Sequence, residues 1–96
     1  MEGYQKSIRD MSVDEREEAL AHLADTLEGS AYEAFIEGQK GFATLSRNMA
    51  TAIKANADEL ARFDIDAADK IVQHARYLLH QFRIARPHKP VSMAVH

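Results

Sequence analysis

The sequence predicts an all-α fold in which three helices form an antiparallel, hairpin-like bundle with a long central helix. Strand signals are almost absent, because β-branched residues are scattered and no stretch alternates cleanly between apolar and polar residues. Helix-start signals, in contrast, precede three stretches in which apolar residues recur at helical spacing. With 96 residues, 46 % of them hydrophobic, the chain suits one globular domain.

The first helix is predicted over residues 13–28. Ser12 and Glu15 have the spacing of a capping box, in which each side chain accepts a hydrogen bond from the other residue's backbone amide. Apolar residues follow at helical spacing: Val13, Leu20, Leu23, Ala24 and Leu27. Gly29 is predicted to end the helix, because glycine readily takes the left-handed conformation that often closes one.

The second helix is predicted to be the long central one, over residues 31–62, with Ser30 and Glu33 as a second capping box. At 1.5 Å per residue it would be about 48 Å long. Its apolar residues recur at the seven-residue interval of a coiled coil, with one asparagine among them: Phe35, Phe42, Met49, Asn56 and Phe63. Gly38 and Gly41 lie inside this stretch and would each cost about 1 kcal/mol relative to alanine. They could kink the helix, but the pattern favours a continuous one.

The third helix is predicted over residues 67–86, with Asp66 as its N-cap. It has the clearest amphipathic stripe in the chain: Ala68, Ile71, Val72, Ala75, Leu78, Leu79 and Phe82. Pro87 and Pro90 end it, because proline lacks an amide hydrogen and disfavours helical geometry in the residue before it.

The helical domain is predicted to span residues 12–86, after a lead-in of residues 1–11 and before an extended tail of residues 87–96. The apolar stripe of the central helix is too wide for two shorter helices to cover. We therefore expect a homodimer, or another homo-oligomer, to complete the core. The dimer-seam candidates are Phe35, Phe42, Leu45, Met49, Ile53 and Asn56. Asn56 would set the register of the two chains or, alternatively, face water near the helix end.

The third helix also predicts a binding face. Tyr77 and Ile84 lie seven residues apart on the side opposite its core stripe, where polar residues are expected. Tyrosine and arginine around an aliphatic residue are typical of interaction hot spots. We expect this face to bind a protein partner or a second subunit. The partner-binding candidates are Tyr77, Ile84, Arg76, His80, Arg83 and Arg86. The alternatives are that the tail or the N-terminal arm covers this face, or that it contacts nucleic acid.

The charges are divided unevenly along the chain, although the net charge is only −3. All 15 acidic residues lie between Glu2 and Asp69. The stretch from Lys70 to His96 has five lysines and arginines and no acidic residue. Such a division is typical either of a basic surface for nucleic acid or an acidic partner, or of two halves that pack together with complementary charge.

No catalytic constellation, metal site or cofactor site is predicted. The absence of cysteine excludes thiolate ligands and cysteine nucleophiles. His74 and His80 are six residues apart, which places them about 120° apart around a helix, so they cannot chelate as an i, i+4 pair does. Serine and threonine residues lie in no glycine elbow, and Gly38 and Gly41 follow no strand, as a phosphate-binding loop would require.

The sequence therefore predicts a small regulatory or adaptor protein that acts by stoichiometric protein–protein binding. It would be an inhibitor or sequestering factor of bacterial or phage type rather than an enzyme. A cytoplasmic location is expected, because no apolar run could span a bilayer and the N-terminus lacks the order of a secretory signal. The alternative is a nucleic-acid-associated protein that uses the basic C-terminal helix and tail.

Overall fold

A computed structural model of the chain describes residues 7–85. A short 3-10 helix, Ile8–Asp10, is followed by three α-helices: α1 Val13–Ile36, α2 Lys40–Phe63 and α3 Ile65–Ala85. The described residues contain no strand, so the predicted all-α, three-helix fold is confirmed. None of these helices is both long and apolar enough to cross a membrane. Arg86 and the predicted tail lie outside the described residues.

Helix α1 begins as predicted but ends eight residues later. The Ser12 Oγ accepts a hydrogen bond from the Glu15 amide at 3.1 Å, and the Glu15 Oε1 accepts one from the Ser12 amide at 2.9 Å. The predicted end at Gly29 is wrong, because the helix continues through it to Ile36. The buried apolar row continues beyond Gly29 at the same spacing, and its packing outweighs the roughly 1 kcal/mol that a helical glycine costs. Ser30 is therefore an interior helical residue, and the second capping box is also wrong.

The long central helix is wrong as well, since the chain reverses at Gly38. This glycine has φ +86°, a left-handed conformation that ends α1. The Gly38 amide donates to the Phe35 carbonyl at 3.1 Å and the Gln39 amide to the Ala34 carbonyl at 2.8 Å. These two bonds form a Schellman motif, which satisfies carbonyl groups at the end of the helix. Helices α1 and α2 are consequently 24 residues each.

Helices α1 and α2 pack antiparallel along their length through small side chains. The buried residues of α1 are Leu20, Ala24, Leu27, Ala31 and Ala34, and those of α2 are Ala43, Ser46, Ala50, Ile53, Leu60 and Ala61. The fully buried Ser46 Oγ donates to the Leu27 carbonyl of α1 at 2.9 Å. Near the other end, the Arg16 Nη1 donates to the Ala61 carbonyl at 3.0 Å. These two polar contacts join α1 and α2 in the interior of the hairpin and near its open end.

Helix α3 runs back along α2 to the turn between α1 and α2. Its first turn is capped by Asp64, whose Oδ1 accepts from the Ala67 amide at 3.2 Å. The predicted cap, Asp66, is wrong by two residues and lies inside the helix. Near the far end of α3, the Phe82 ring stacks on Phe42 of α2, with ring centroids 4.3 Å apart. Phe82 also packs with Ala34 and Ala43 in a small second core.

Part of the predicted lead-in belongs to the core. Ile8, in the 3-10 helix, is buried in the main apolar cluster. The Arg16 Nε donates to the Ile8 carbonyl at 3.0 Å, which ties the 3-10 helix to α1. Arg9 forms ion pairs with Asp66 at 2.9 Å and Asp69 at 3.3 Å, which tie it to α3. The 3-10 helix therefore bridges the first and third helices.

Gly29, inside α1, and Gly38, in the turn that follows it, give opposite predictions for substitution by alanine. A Cβ at Gly29 meets no atom within 4 Å, so Gly29→Ala should raise the free energy of unfolding by roughly 1 kcal/mol. Gly38→Ala should lower it by about 1–2 kcal/mol, because the positive φ is strained for any residue with a Cβ. Urea denaturation followed by circular dichroism measures both changes. Equal effects of the two substitutions would contradict the positions of the turn and the helix.

Candidate interaction surface

The outer face of α3, defined here by Tyr77, Ile84, Arg76, His80 and Arg83, is the main candidate surface. Tyr77 is 66 % exposed and Ile84 is 62 % exposed. Ala75 and Phe82, on the opposite side of the same helix, are buried. A helix turns about 100° per residue, so Tyr77 lies about 200° from Ala75. The structure thus places both predicted apolar residues away from the core.

Basic side chains surround this apolar pair. Arg76, His80 and Arg83 are all exposed. The carboxylates of α3 are confined to its first turns, at Asp66 and Asp69, where Arg9 pairs with both. The remaining length of the face therefore combines exposed apolar area with positive charge.

The dimer-seam candidates do not form one continuous seam. Phe35 belongs to α1 and the other five belong to α2, because the chain reverses between them. Ile53 is buried, and Phe42 and Met49 are half-buried inside the bundle. Only three candidates are exposed: Phe35, Leu45 and Asn56. The regular seven-residue spacing from Phe35 to Phe42 crosses the turn and therefore marks no helix face.

Asn56 is exposed on α2. Its Nδ2 donates to the Ala52 carbonyl of the preceding turn at 2.8 Å. The side chain satisfies a local backbone group and lies on the exposed side of α2.

The end of the bundle at the α1–α2 turn is unusually apolar, a feature that the sequence reasoning missed. Its exposed large apolar residues are Tyr32, Phe35, Ile36, Leu45 and Ile84. Tyr32 and Phe35 line a hollow of about 320 Å³ together with Arg47. The signal that could have found this end was the run of aromatic and aliphatic residues on both sides of Gly38. The sequence analysis assigned that run to one continuous helix, so it did not predict that these residues meet at one end of the bundle.

Exposed ion pairs lie on α1 and α2 away from this apolar end. The Lys54 Nζ lies 2.9 Å from Glu28 and 3.7 Å from Asp25, and the hydrogen bond with Glu28 raises the pKa of Lys54. The Arg62 Nε lies 2.8 Å from Asp58, and this hydrogen bond lowers the pKa of Asp58. Because exposed pairs contribute little stability, their main effect is to keep this side polar.

The histidines form no metal site in the part of the chain that the structure describes. Within residues 7–85, no group of three or more histidine, aspartate and glutamate side chains is arranged to hold a metal ion. His74 and His80 are both exposed on α3.

The chain was compared with protein families, curated proteins and solved structures, and none of them matches it. The fold and the surface define a small helical-bundle protein with exposed apolar faces. Its function has to be inferred from those faces.

The carboxyl pair of Glu17 and Asp58 gives a pH-dependent prediction. The hydrogen bond with Asp58 raises the pKa of Glu17 above its ordinary value of 4.5. A raised carboxyl pKa stabilises the fold below the ordinary value, and this stabilisation is lost as the pH rises through the folded-state pKa. Glu17→Gln should therefore raise the melting temperature at pH 7, because the amide can donate to Asp58 without a second negative charge.

The gain should disappear below about pH 4, where Glu17 itself is protonated in the wild-type protein. Thermal unfolding at both pH values measures the difference, with Glu18→Gln as a control that removes one neighbouring charge. A gain that is the same at both pH values, or that Glu18→Gln reproduces, would contradict the carboxyl pair.

Proposed function

We propose that this protein is a small cytoplasmic regulatory or adaptor protein that acts by stoichiometric binding of another protein. The outer face of α3 is the surface that it uses. One observation carries the proposal: Tyr77 and Ile84 are exposed on the face opposite the core. Burying a large apolar side chain contributes about 1.5–3 kcal/mol, so a partner that covers both gains a substantial part of its binding free energy there.

The charge around the two residues indicates the chemistry of the partner. Arg76 and Arg83 flank the apolar pair, and the sequence of α3 contains no acidic residue after Asp69. A partner surface with apolar residues inside an acidic border is complementary to this face. Such charges increase the rate of association and select among partners more than they increase affinity. Occupying that partner's surface in a one-to-one complex would inhibit or sequester it.

Nucleic acid is the second candidate partner. It is supported by the stretch from Lys70 to the end of α3, which has no carboxylate. Binding to phosphates would release counterions, so its affinity would fall steeply with salt. The net charge of −3 and the carboxylates of α1 oppose an approach to a polyanion from most directions.

We also propose that the protein forms a homodimer through the apolar end at the α1–α2 turn. Within residues 7–85, this end concentrates large apolar side chains that remain exposed: Tyr32, Phe35, Ile36 and Leu45. Contiguous exposed apolar surface of this kind marks association sites in soluble proteins.

The α3 proposal predicts that a double variant, Tyr77→Ala with Arg83→Glu, loses its protein partner. Truncating a tyrosine and reversing a charge at a hot spot each cost about 1–3 kcal/mol, so capture should fall by at least about tenfold. Affinity capture from the source cells, after nuclease treatment, measures it. The control is Phe63→Ala with Arg62→Glu, which truncates an exposed aromatic ring and reverses a charge at the other end of the bundle, away from both proposed surfaces.

Equal capture of the partner by both double variants would refute the α3 face. Partner material that disappears on nuclease treatment, with mobility shifts abolished at high salt, would instead support nucleic acid.

The dimer proposal predicts opposite results for two Phe→Glu variants. Phe35 is 57 % exposed at the turn end, whereas Phe63 is 80 % exposed at the other end of the bundle. Phe35→Glu should raise the dimer dissociation constant by at least about tenfold, because it buries a charge at the interface. Phe63→Glu should leave it unchanged. Light scattering after size exclusion measures both, and a wild-type protein that stays monomeric at about 1 mM would overturn the dimer.

A further inference from the structure

An apolar groove opens between the 3-10 helix, α1 and α3, on a side of α3 different from its outer face. Its walls are formed by six apolar residues: Ile8, Met11, Ala19, Leu23, Val72 and Leu79. The volume of the groove is about 550 Å³. This volume lies within the range of roughly 300–1,000 Å³ that is usual for small-molecule sites.

Polar contacts outside the groove hold its walls in place. Arg9 joins the 3-10 helix to the first turns of α3, and Arg16 joins it to α1 through the Ile8 carbonyl. The Ile8 side chain is buried in the main apolar cluster, which fixes the position of the 3-10 helix. A groove with fixed walls loses little conformational entropy when a ligand binds, which favours binding.

Two polar residues line the groove together with the apolar walls, His22 of α1 and Arg76 of α3. Arg76 carries a positive charge, and none of the described residues that line the groove is a carboxylate. The acidic residues of this region, Glu15, Glu18 and Asp25, line an adjoining hollow that shares Met11, Ala19 and His22 with the groove. The apolar body of a ligand would therefore pack against the walls, and a negatively charged head group would pair with Arg76.

We propose that this groove binds a small anionic amphiphile, with an aliphatic or aromatic body and a single carboxylate. The body lies against Leu23, Val72 and Leu79, and the carboxylate pairs with Arg76. Charge-assisted hydrogen bonds between a guanidinium and a carboxylate are among the stronger polar contacts in proteins. This site shares Arg76 with the outer face of α3, but its ligand is a small molecule and not the protein partner proposed for that face.

Decanoate tests the proposal directly, with decanol and decyltrimethylammonium as probes of the same chain length and different head groups. Isothermal titration calorimetry below the micelle threshold measures affinity, and amide shifts in two-dimensional NMR locate the site. Decanoate should bind one-to-one and shift residues of α1 and α3 around the groove. Decanol should bind about tenfold more weakly, and the cation should bind more weakly still.

Three variants test whether decanoate binds in the groove or to exposed apolar surface in general. Ala19→Leu fills the groove and should weaken decanoate at least tenfold, and Leu79→Gln should weaken it by making a wall polar. Arg76→Gln should weaken decanoate about tenfold and leave decanol unchanged. Ala52→Leu makes the same change as the first variant on an exposed position of α2 and should have no effect.

Equal affinity for all three head groups would overturn the proposed role of Arg76. Decanoate binding that survives both Ala19→Leu and Leu79→Gln would overturn the groove as its site. Failure of the wild-type protein to bind decanoate one-to-one would overturn the site itself.

Discussion

The close antiparallel contact between α1 and α2 is the constraint on which the rest of the structure depends. It is made by small side chains, among them Ala24, Ala31, Ala43 and Ala50, which let the two backbones approach each other. The approach is close enough for Ser46 to reach the Leu27 carbonyl of the opposite helix. A larger side chain at any of these positions would separate the helices and break that bond, because protein interiors have no spare volume.

This contact also determines what is left exposed. Alanine buries little apolar area, so an interface built from it contributes less free energy per residue than one built from leucine or phenylalanine. Some larger apolar side chains join α3 to the hairpin, as Phe42 and Phe82 do, and others remain on the surface, as Tyr77 and Phe35 do. A domain of this size has a small interior relative to its surface. The apolar side chains that remain exposed are therefore the ones that a partner could bury.

Local signals in the sequence predicted the parts of the structure that local contacts determine. The capping box of Ser12 and Glu15 and the orientation of Tyr77 depend only on residues within a few positions, and both follow the prediction. The choice between Gly29 and Gly38 as the end of α1 could not be made in this way, because either glycine suits a helix end. It is decided by whether Ala31 and Ala34 pack against α2, and that contact joins residues distant in sequence.

Helix α3 connects the two binding sites proposed above, because Arg76 lies both at the border of its outer face and in the wall of the groove. A carboxylate bound in the groove and an acidic partner on the outer face would draw on the same guanidinium. Each ligand would then lower the affinity of the other, and by the same factor, since coupling between two binding equilibria is reciprocal. This coupling requires no movement of the helix. It follows from the position of one arginine between two faces, and it would make a small anion an antagonist of the protein complex.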